Sequence, residues 1–133
     1  PLNFTMIVYK KFNIESARSI PNLPKTHPCH HIHGHSFKII ISVKGPVNKQ
    51  NGFVTDFQDI DNAFSSFKKE LDHSYLNDIE GLQNPTSENI CIWIWDKIQS
   101  SLPNIYKIEI KETDSTGCIY KGKRNDKSRR ENF

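Results

Sequence analysis

Residues 35–45, HSFKIIISVKG, place Phe37, Ile39, Ile41 and Val43 at every second position. A period of two belongs to an extended strand with one apolar face, and that face must be covered by a second layer. Two segments have the complementary period. In TDFQDIDNAFSSFKKELD (55–72), Phe57, Ile60, Phe64, Phe67 and Leu71 recur at three- and four-residue steps, which makes one helical stripe. Thr55 or Asp56 can cap it, with Asp59 in the first turn. In NPTSENICIWIWDKIQSSL (84–102), Ile90, Trp93, Ile94 and Ile98 do the same behind an Asn-Pro-Thr-Ser entry rich in capping oxygens.

TMIVYKKF (5–12) reads as a first strand. IYKIEIKE (105–112), with Tyr106, Ile108, Ile110 and Glu112 on one parity, reads as a third, and GCIYK (117–121) as a short last one. The order ββααββ predicts an α+β fold: an antiparallel four-stranded sheet with two helices packed on one face. Its edges are open to pairing with further copies.

A chain of 133 residues, 35% hydrophobic, supports one modest core. The expected domain spans 1–122, followed by a basic tail over 123–133. Residues 121–133 hold six basic and two acidic side chains, so the formal charge of +3 sits in that tail and the rest is close to neutral. A solvated end explains such a tail, and no nucleic-acid partner is expected. No apolar run is long enough to cross a membrane. The opening PLNFTMIVYKKFNIES has no basic region before an apolar run, so it does not read as a secretory leader. Three cysteines, Cys29, Cys91 and Cys118, fit free thiols in a reducing compartment, and the expected location is cytoplasmic.

The heptapeptide CHHIHGH (29–35) concentrates the chemistry. His33 and His35 alternate on a strand, so two imidazoles can face one ion, and Gly34 lets the backbone bend. Zinc accepts imidazole nitrogen, and catalytic zinc keeps about three protein ligands and one open position. Two ordinary histidines are the alternative. Cys29, after Pro28 in turn-rich sequence, is either a zinc ligand or a thiolate activated by a nearby cation. Cys91 fits a small buried hydrophobe, and Cys118 is ambiguous. Asp72-His73 ends the first helix. It is either a carboxylate-oriented proton relay or a histidine favoured by the helix C-terminus. Glu112 lies on an apolar parity, where a carboxylate must be paired. It is either the grip for a guanidine-like edge or a strand-end side chain reaching solvent.

These segments, in this order, resemble the 6-pyruvoyltetrahydropterin synthase family. The resemblance is carried by C-H-H-I-H-G-H (29–35), G-F-V-T-D-F (52–57), L-D-H-S-Y-L-N-D (71–78), N-P-T-S-E-N (84–89), I-W-D (94–96), K-E-T (111–113) and G-C-I-Y (117–120). The spacing C-x-x-x-H-G-H is similar to the 6-carboxytetrahydropterin synthase branch, which serves queuosine (7-deazaguanine) biosynthesis. The resemblance implies the tunnelling fold and a homohexamer built as a dimer of trimers, with sites between subunits. It implies a lyase that converts 7,8-dihydroneopterin triphosphate to 6-carboxy-5,6,7,8-tetrahydropterin, acetaldehyde and triphosphate. Cys29 would be the thiolate base, His73 with Asp72 the partner acid or base, and Glu112 the grip on the pterin and a possible member of the relay. Thr86 and Ser87 would help to cradle the pterin, and His33 and His35 would be two of three zinc ligands, with zinc as Lewis acid.

The third zinc histidine of the family lies in an F-x-A-A-H-R-L-P segment. Here the matching stretch is I-E-S-A-R-S-I-P (14–21), with Arg18 in that position. An arginine stays charged and does not ligate zinc. Three readings remain open. Zinc is absent and Arg18 supplies a fixed charge; or His27, His30 or His31 replaces the ligand; or the chain binds pterin with impaired catalysis. His31 has the right parity, but it would lie about 13 Å from His35 along an extended strand. 6-Pyruvoyltetrahydropterin synthase activity is the alternative reaction.

Overall fold

The computed structural model describes residues 4–123. Residues 124–133, most of the expected basic tail, and residues 1–3 lie outside the described residues. The elements run β1 (Thr5–Arg18), β2 (His33–Pro46), α1 (Phe57–Leu71), α2 (Ser87–Ile98), β3 (Ile105–Lys111) and β4 (Gly117–Tyr120). The sheet is antiparallel with order β1-β2-β3-β4. This is the ββααββ arrangement expected, with α1 packed over β1 and α2 over β3 and β4.

β1 is longer than its sequence advertises. Asn13–Arg18 looks polar, yet Phe12, Ile14, Ser16 and Arg18 are all buried while Asn13 and Glu15 are exposed. The period of two continues, but it is carried by a serine and an arginine where apolar residues were sought. Register then fixes the site. Ile14 pairs with Phe37, Ser16 with His35 and Arg18 with His33. Directly opposed residues in an antiparallel pair share a face. So the helix-covered face runs from apolar Ile14 and Phe37 into Ser16, His35, Arg18 and His33 at its end.

Three expectations need correction. β2 begins at His33, and His31 ends a short 3-10 turn at Pro28–His30, so His31 does not continue the strand face. Tyr106 does not share the inward parity. Ser42 pairs with Lys107 and Val43 with Ile105, so Tyr106 is the extra residue of a bulge and Ile105 takes the inner position. Phe57 opens α1 beyond the covered face and is 55% exposed, whereas Ile60, Ala63, Phe64, Phe67 and Leu71 are buried.

The helix entries follow elementary capping. Asp56 caps α1, its side chain accepting from the Gln58 N–H at 2.9 Å. Thr86 caps α2, accepting from Asn89 N–H at 3.2 Å. In both, a side-chain oxygen satisfies a donor the helix cannot. The central aromatic stack joins Phe12, Phe64, Phe67 and Trp93, with Phe12 and Phe64 ring centroids 4.4 Å apart.

Phe64→Ala should therefore cost about 3–5 kcal/mol, whereas Phe57→Ala should stay within about 0.5 kcal/mol. Urea midpoints at unchanged slope give both values. Equal losses would contradict this assignment of the α1 stripe.

Candidate active site

The polar end of the covered face is organised around Arg18 and Glu112. Arg18 is 4% exposed. One terminal nitrogen donates to Glu112 Oε1 at 2.5 Å and the other to the Pro85 carbonyl at 3.0 Å. Its guanidinium lies 4.9 Å from the centre of the Phe37 ring. Its Nε is buried and has no hydrogen-bond partner among the described residues. A buried cation is tolerable only when paired, and the carboxylate supplies the pairing.

Glu112 follows β3, and its N–H donates to the Thr116 carbonyl at 3.1 Å, so the β3–β4 hairpin fixes its backbone. Gly117 lets the hairpin close, because a Cβ there would lie 2.5 Å from the Ile110 carbonyl oxygen. Ser87, the first residue of α2, donates its hydroxyl to Glu112 Oε1 at 2.5 Å. Oε1 is thus taken twice, while Oε2 faces His35 Nε2 at 3.9 Å. Burial by itself would raise the Glu112 pKa. The Ser87 hydroxyl and the Arg18 guanidinium more than offset this and hold it below the ordinary carboxylate range. The His35 imidazole is pushed down by burial first and by the Arg18 charge second.

His33 and His35 share this face, with ring centroids 6.4 Å apart. His33 Nδ1 lies 2.7 Å from the His31 carbonyl, an acceptor, so this nitrogen carries the proton and Nε2 is the free one. The three-imidazole zinc set does not fit the residues present. The position opposite His33 holds a buried, ion-paired guanidinium. A divalent ion about 4 Å from it would meet roughly 8 kcal/mol of repulsion at an effective dielectric of 20, and the carboxylate that could offset it, Glu112, already accepts from Arg18 and Ser87 through Oε1. Among the described residues, no three His, Cys, Asp or Glu side chains are grouped to hold a metal. His27 and His30 are used locally: His27 Nδ1 accepts from Cys29 N–H at 3.0 Å, and His30 Nδ1 lies 2.9 Å from the Leu23 carbonyl.

The other predicted residues form two separate groups. Asp72 and His73 are paired, Oδ2 to Nδ1 at 3.2 Å, while Asp72 Oδ1 accepts from Glu15 N–H at 2.8 Å. The adjacent-residue pair closes because His73 adopts φ 57°, the left-handed region, which costs about 1 kcal/mol in a non-glycine residue. Its N–H is clamped by the Glu15 carbonyl at 2.6 Å, and its side chain is 79% exposed. The backbone N–H of Glu15, and then His73, hold the Asp72 carboxyl below its usual value against the effect of burial. Cys29 sits partly exposed on the 3-10 turn. Its carbonyl accepts from Ile20 N–H at 2.8 Å, which ties the turn to the chain just beyond Arg18. Among the described residues, neither Cys29 nor His73 bonds to the Arg18–Glu112 group. Thr86 is occupied as the α2 cap. Cys91 and Cys118 lie with sulfurs 3.5 Å apart under α2, and Cys91 is buried, as its apolar setting implies.

Sequence reasoning missed Asn77, whose amide brackets Ser19: Oδ1 accepts from Ser19 N–H at 2.9 Å and Nδ2 donates to Ser19 O at 2.8 Å. Tyr75 adds a hydroxyl contact to Ser19 Oγ at 3.0 Å. Together they pin the end of β1, and hence Arg18. The signal was the run of polar side chains in SYLND, whose partner is distant in sequence. A groove of about 380 Å³ borders Glu112 on its Lys38 and Lys111 side. A hollow of about 450 Å³ beside Asp59 and Ser101 involves none of these residues.

A family described as 6-pyruvoyl tetrahydropterin synthase matches residues 7–123. The 6-carboxy-5,6,7,8-tetrahydropterin synthase of Synechocystis is 34% identical over 120 residues, covering 86% of this chain and 92% of that protein. The human 6-pyruvoyl tetrahydrobiopterin synthase is 32% identical over 96 residues, covering 68% of this chain and 66% of that one. The structure of the Caenorhabditis elegans 6-pyruvoyl tetrahydropterin synthase superposes with a TM-score of 0.83 at 23% identity, covering 91% of this chain and 98% of that one. This last likeness establishes the shared fold.

The geometry makes a pH prediction. A carboxyl lowered in the folded state contributes stability that is present above its unfolded pKa and lost as pH falls through the folded value. Asp72 is such a group. Stability should therefore decline from about pH 4 downward, and Asp72→Asn should flatten that part of the curve. An unchanged slope in the variant, measured by urea titration at each pH, would contradict the Asp72 contacts.

Proposed function

The chain belongs to the 6-pyruvoyl tetrahydropterin synthase family, and from that premise we propose that it is a pterin lyase of the 6-carboxytetrahydropterin synthase type. The reaction converts 7,8-dihydroneopterin triphosphate to 6-carboxy-5,6,7,8-tetrahydropterin, acetaldehyde and triphosphate, in queuosine biosynthesis. One observation carries the reading. Glu112 is an ionised carboxylate at the sheet end, fixed through Oε1 by Arg18 and Ser87, with Oε2 left to accept from the amino and ring N–H groups of a pterin. The C-x-x-x-H-G-H spacing and the Synechocystis relative support the branch.

In this reading Cys29 is the base on the substrate side chain, and exposed His73, steadied by Asp72, is the second proton carrier. Ser87 orients Glu112, and Thr86 holds the α2 entry beside it. His33 and His35 line the side-chain end of the substrate. Among the described residues Cys29 and His73 make no hydrogen bond or ion pair with Glu112, which supports sites completed between subunits of a homohexamer. The open edges of β1 and β4 and the exposed Met6, Ile7, Tyr9 and Ile119 supply surface for that assembly. No helix of the described residues is long and apolar enough to cross a membrane, and three free cysteines support a cytoplasmic setting. Pterin binding without turnover is the second reading, favoured by the guanidinium at position 18.

Product masses from dihydroneopterin triphosphate decide between these. 6-Carboxytetrahydropterin and acetaldehyde are expected, and Cys29→Ala should lower turnover by at least about 100-fold while leaving neopterin binding intact. A 6-pyruvoyl product would assign the other branch. Neopterin binding with unchanged substrate would leave the binding role.

A further inference from the structure

We infer that the corner formed by Arg18, His33 and His35 works without a metal ion, the guanidinium serving as a built-in cation where a third imidazole would complete a metal site. The identity of its ligand rests on the pterin reading above; the metal-free character does not.

Four observations carry this. Arg18 is directly opposite His33 and shares the face of His35, so it occupies the corner itself. It is 4% exposed and held at both terminal nitrogens, by Glu112 and by the Pro85 carbonyl, and so it is part of the folded framework. Its proton is not removable in a protein, so it can neither ligate nor vacate its charge. The nearest carboxylate is already engaged: Glu112 Oε1 takes both Arg18 and Ser87, and the Arg18–Glu112 pair is neutral as it stands. A divalent ion beside the two imidazoles would add two charges next to a cation that cannot leave, and Glu112 would have to balance both with only Oε2 unengaged.

The corner is nevertheless suited to oxygen ligands. His33 keeps Nε2 free and His35 presents Nε2 beside Glu112 Oε2, with the buried Arg18 guanidinium on the same face. A fixed cation with two imidazoles matches hydroxyl or anionic oxygens on a substrate side chain. Arg18 is then a positioning residue for Glu112 and an electrostatic partner for that end of the ligand.

The test uses the full chain without an affinity tag, equilibrated with zinc, desalted and analysed for metal by mass spectrometry. The wild-type chain and Arg18→Lys should carry no stoichiometric zinc. Arg18→His should acquire about one per chain, lost again when His33→Ala is added. Stoichiometric zinc on the wild-type chain that His33→Ala removes would overturn the inference, whether or not Arg18→His folds. Neopterin binding, read by its fluorescence, should be indifferent to a chelator, weakened about tenfold or more in Arg18→Ala and partly rescued in Arg18→Lys. Binding that appears only after zinc addition would also overturn it. A wild-type chain that binds no neopterin with or without zinc would sink the pterin reading, and the zinc measurement would still decide the inference.

Discussion

A guanidinium under the helix layer obliges the fold to bring it a counterion. Arg18 closes β1 and Glu112 follows β3, strands separated by β2, so their contact requires the registers of three strands to be correct together. It also requires α2 to start where Ser87 and the Pro85 carbonyl can reach the pair. The end of the sheet, the entry of α2 and the β3–β4 hairpin therefore share one polar junction. Removing Glu112 leaves the buried Arg18 charge stranded, a loss of up to about 3–5 kcal/mol. That cost makes the junction a register check as well as a site.

The rest of the molecule serves this junction. Period-two alternation carries Phe12, Ile14, Phe37 and Ile39 under the helices, and the same alternation, extended, delivers Ser16, Arg18, His35 and His33. The segment after α1 returns to the β1 edge, where the Ala17 N–H donates to the Ser74 carbonyl at 2.9 Å and Asn77 brackets Ser19. That return explains why Asp72 and His73 lie along the β1 edge, and why His73 accepts an unfavourable φ. A buried framework on one side and an exposed, clamped histidine on the other is an arrangement that a neighbouring subunit can complete.

Much of this was legible in the sequence. The two helices and the four strands announce themselves by their periods, because apolar side chains report burial directly. Glu112 was legible because a carboxylate on an apolar parity needs a partner, though its partner was not. The second half of β1 was hidden, since its inward positions are Ser16 and Arg18 and a pattern of apolar residues cannot show a buried arginine. Tyr106 misled because a bulge inserts one residue and reverses parity, and bulges leave no mark in composition. Asn77 was hidden by distance, since its partner lies 58 residues away. The role of position 18 was visible only as a departure from a family pattern. The structure adds that the departure is paired, buried and built into the sheet end.

A double-mutant cycle on Arg18→Met and Glu112→Gln, read as unfolding free energy in urea, tests the central claim most directly. If the pair is the junction described here, each single change leaves the other partner's charge unpaired, and the double variant loses less than the sum of the two by about 1 kcal/mol or more. Additive losses, within about 0.5 kcal/mol, would mean that the two side chains stand independently and that the sheet end is not organised around their contact.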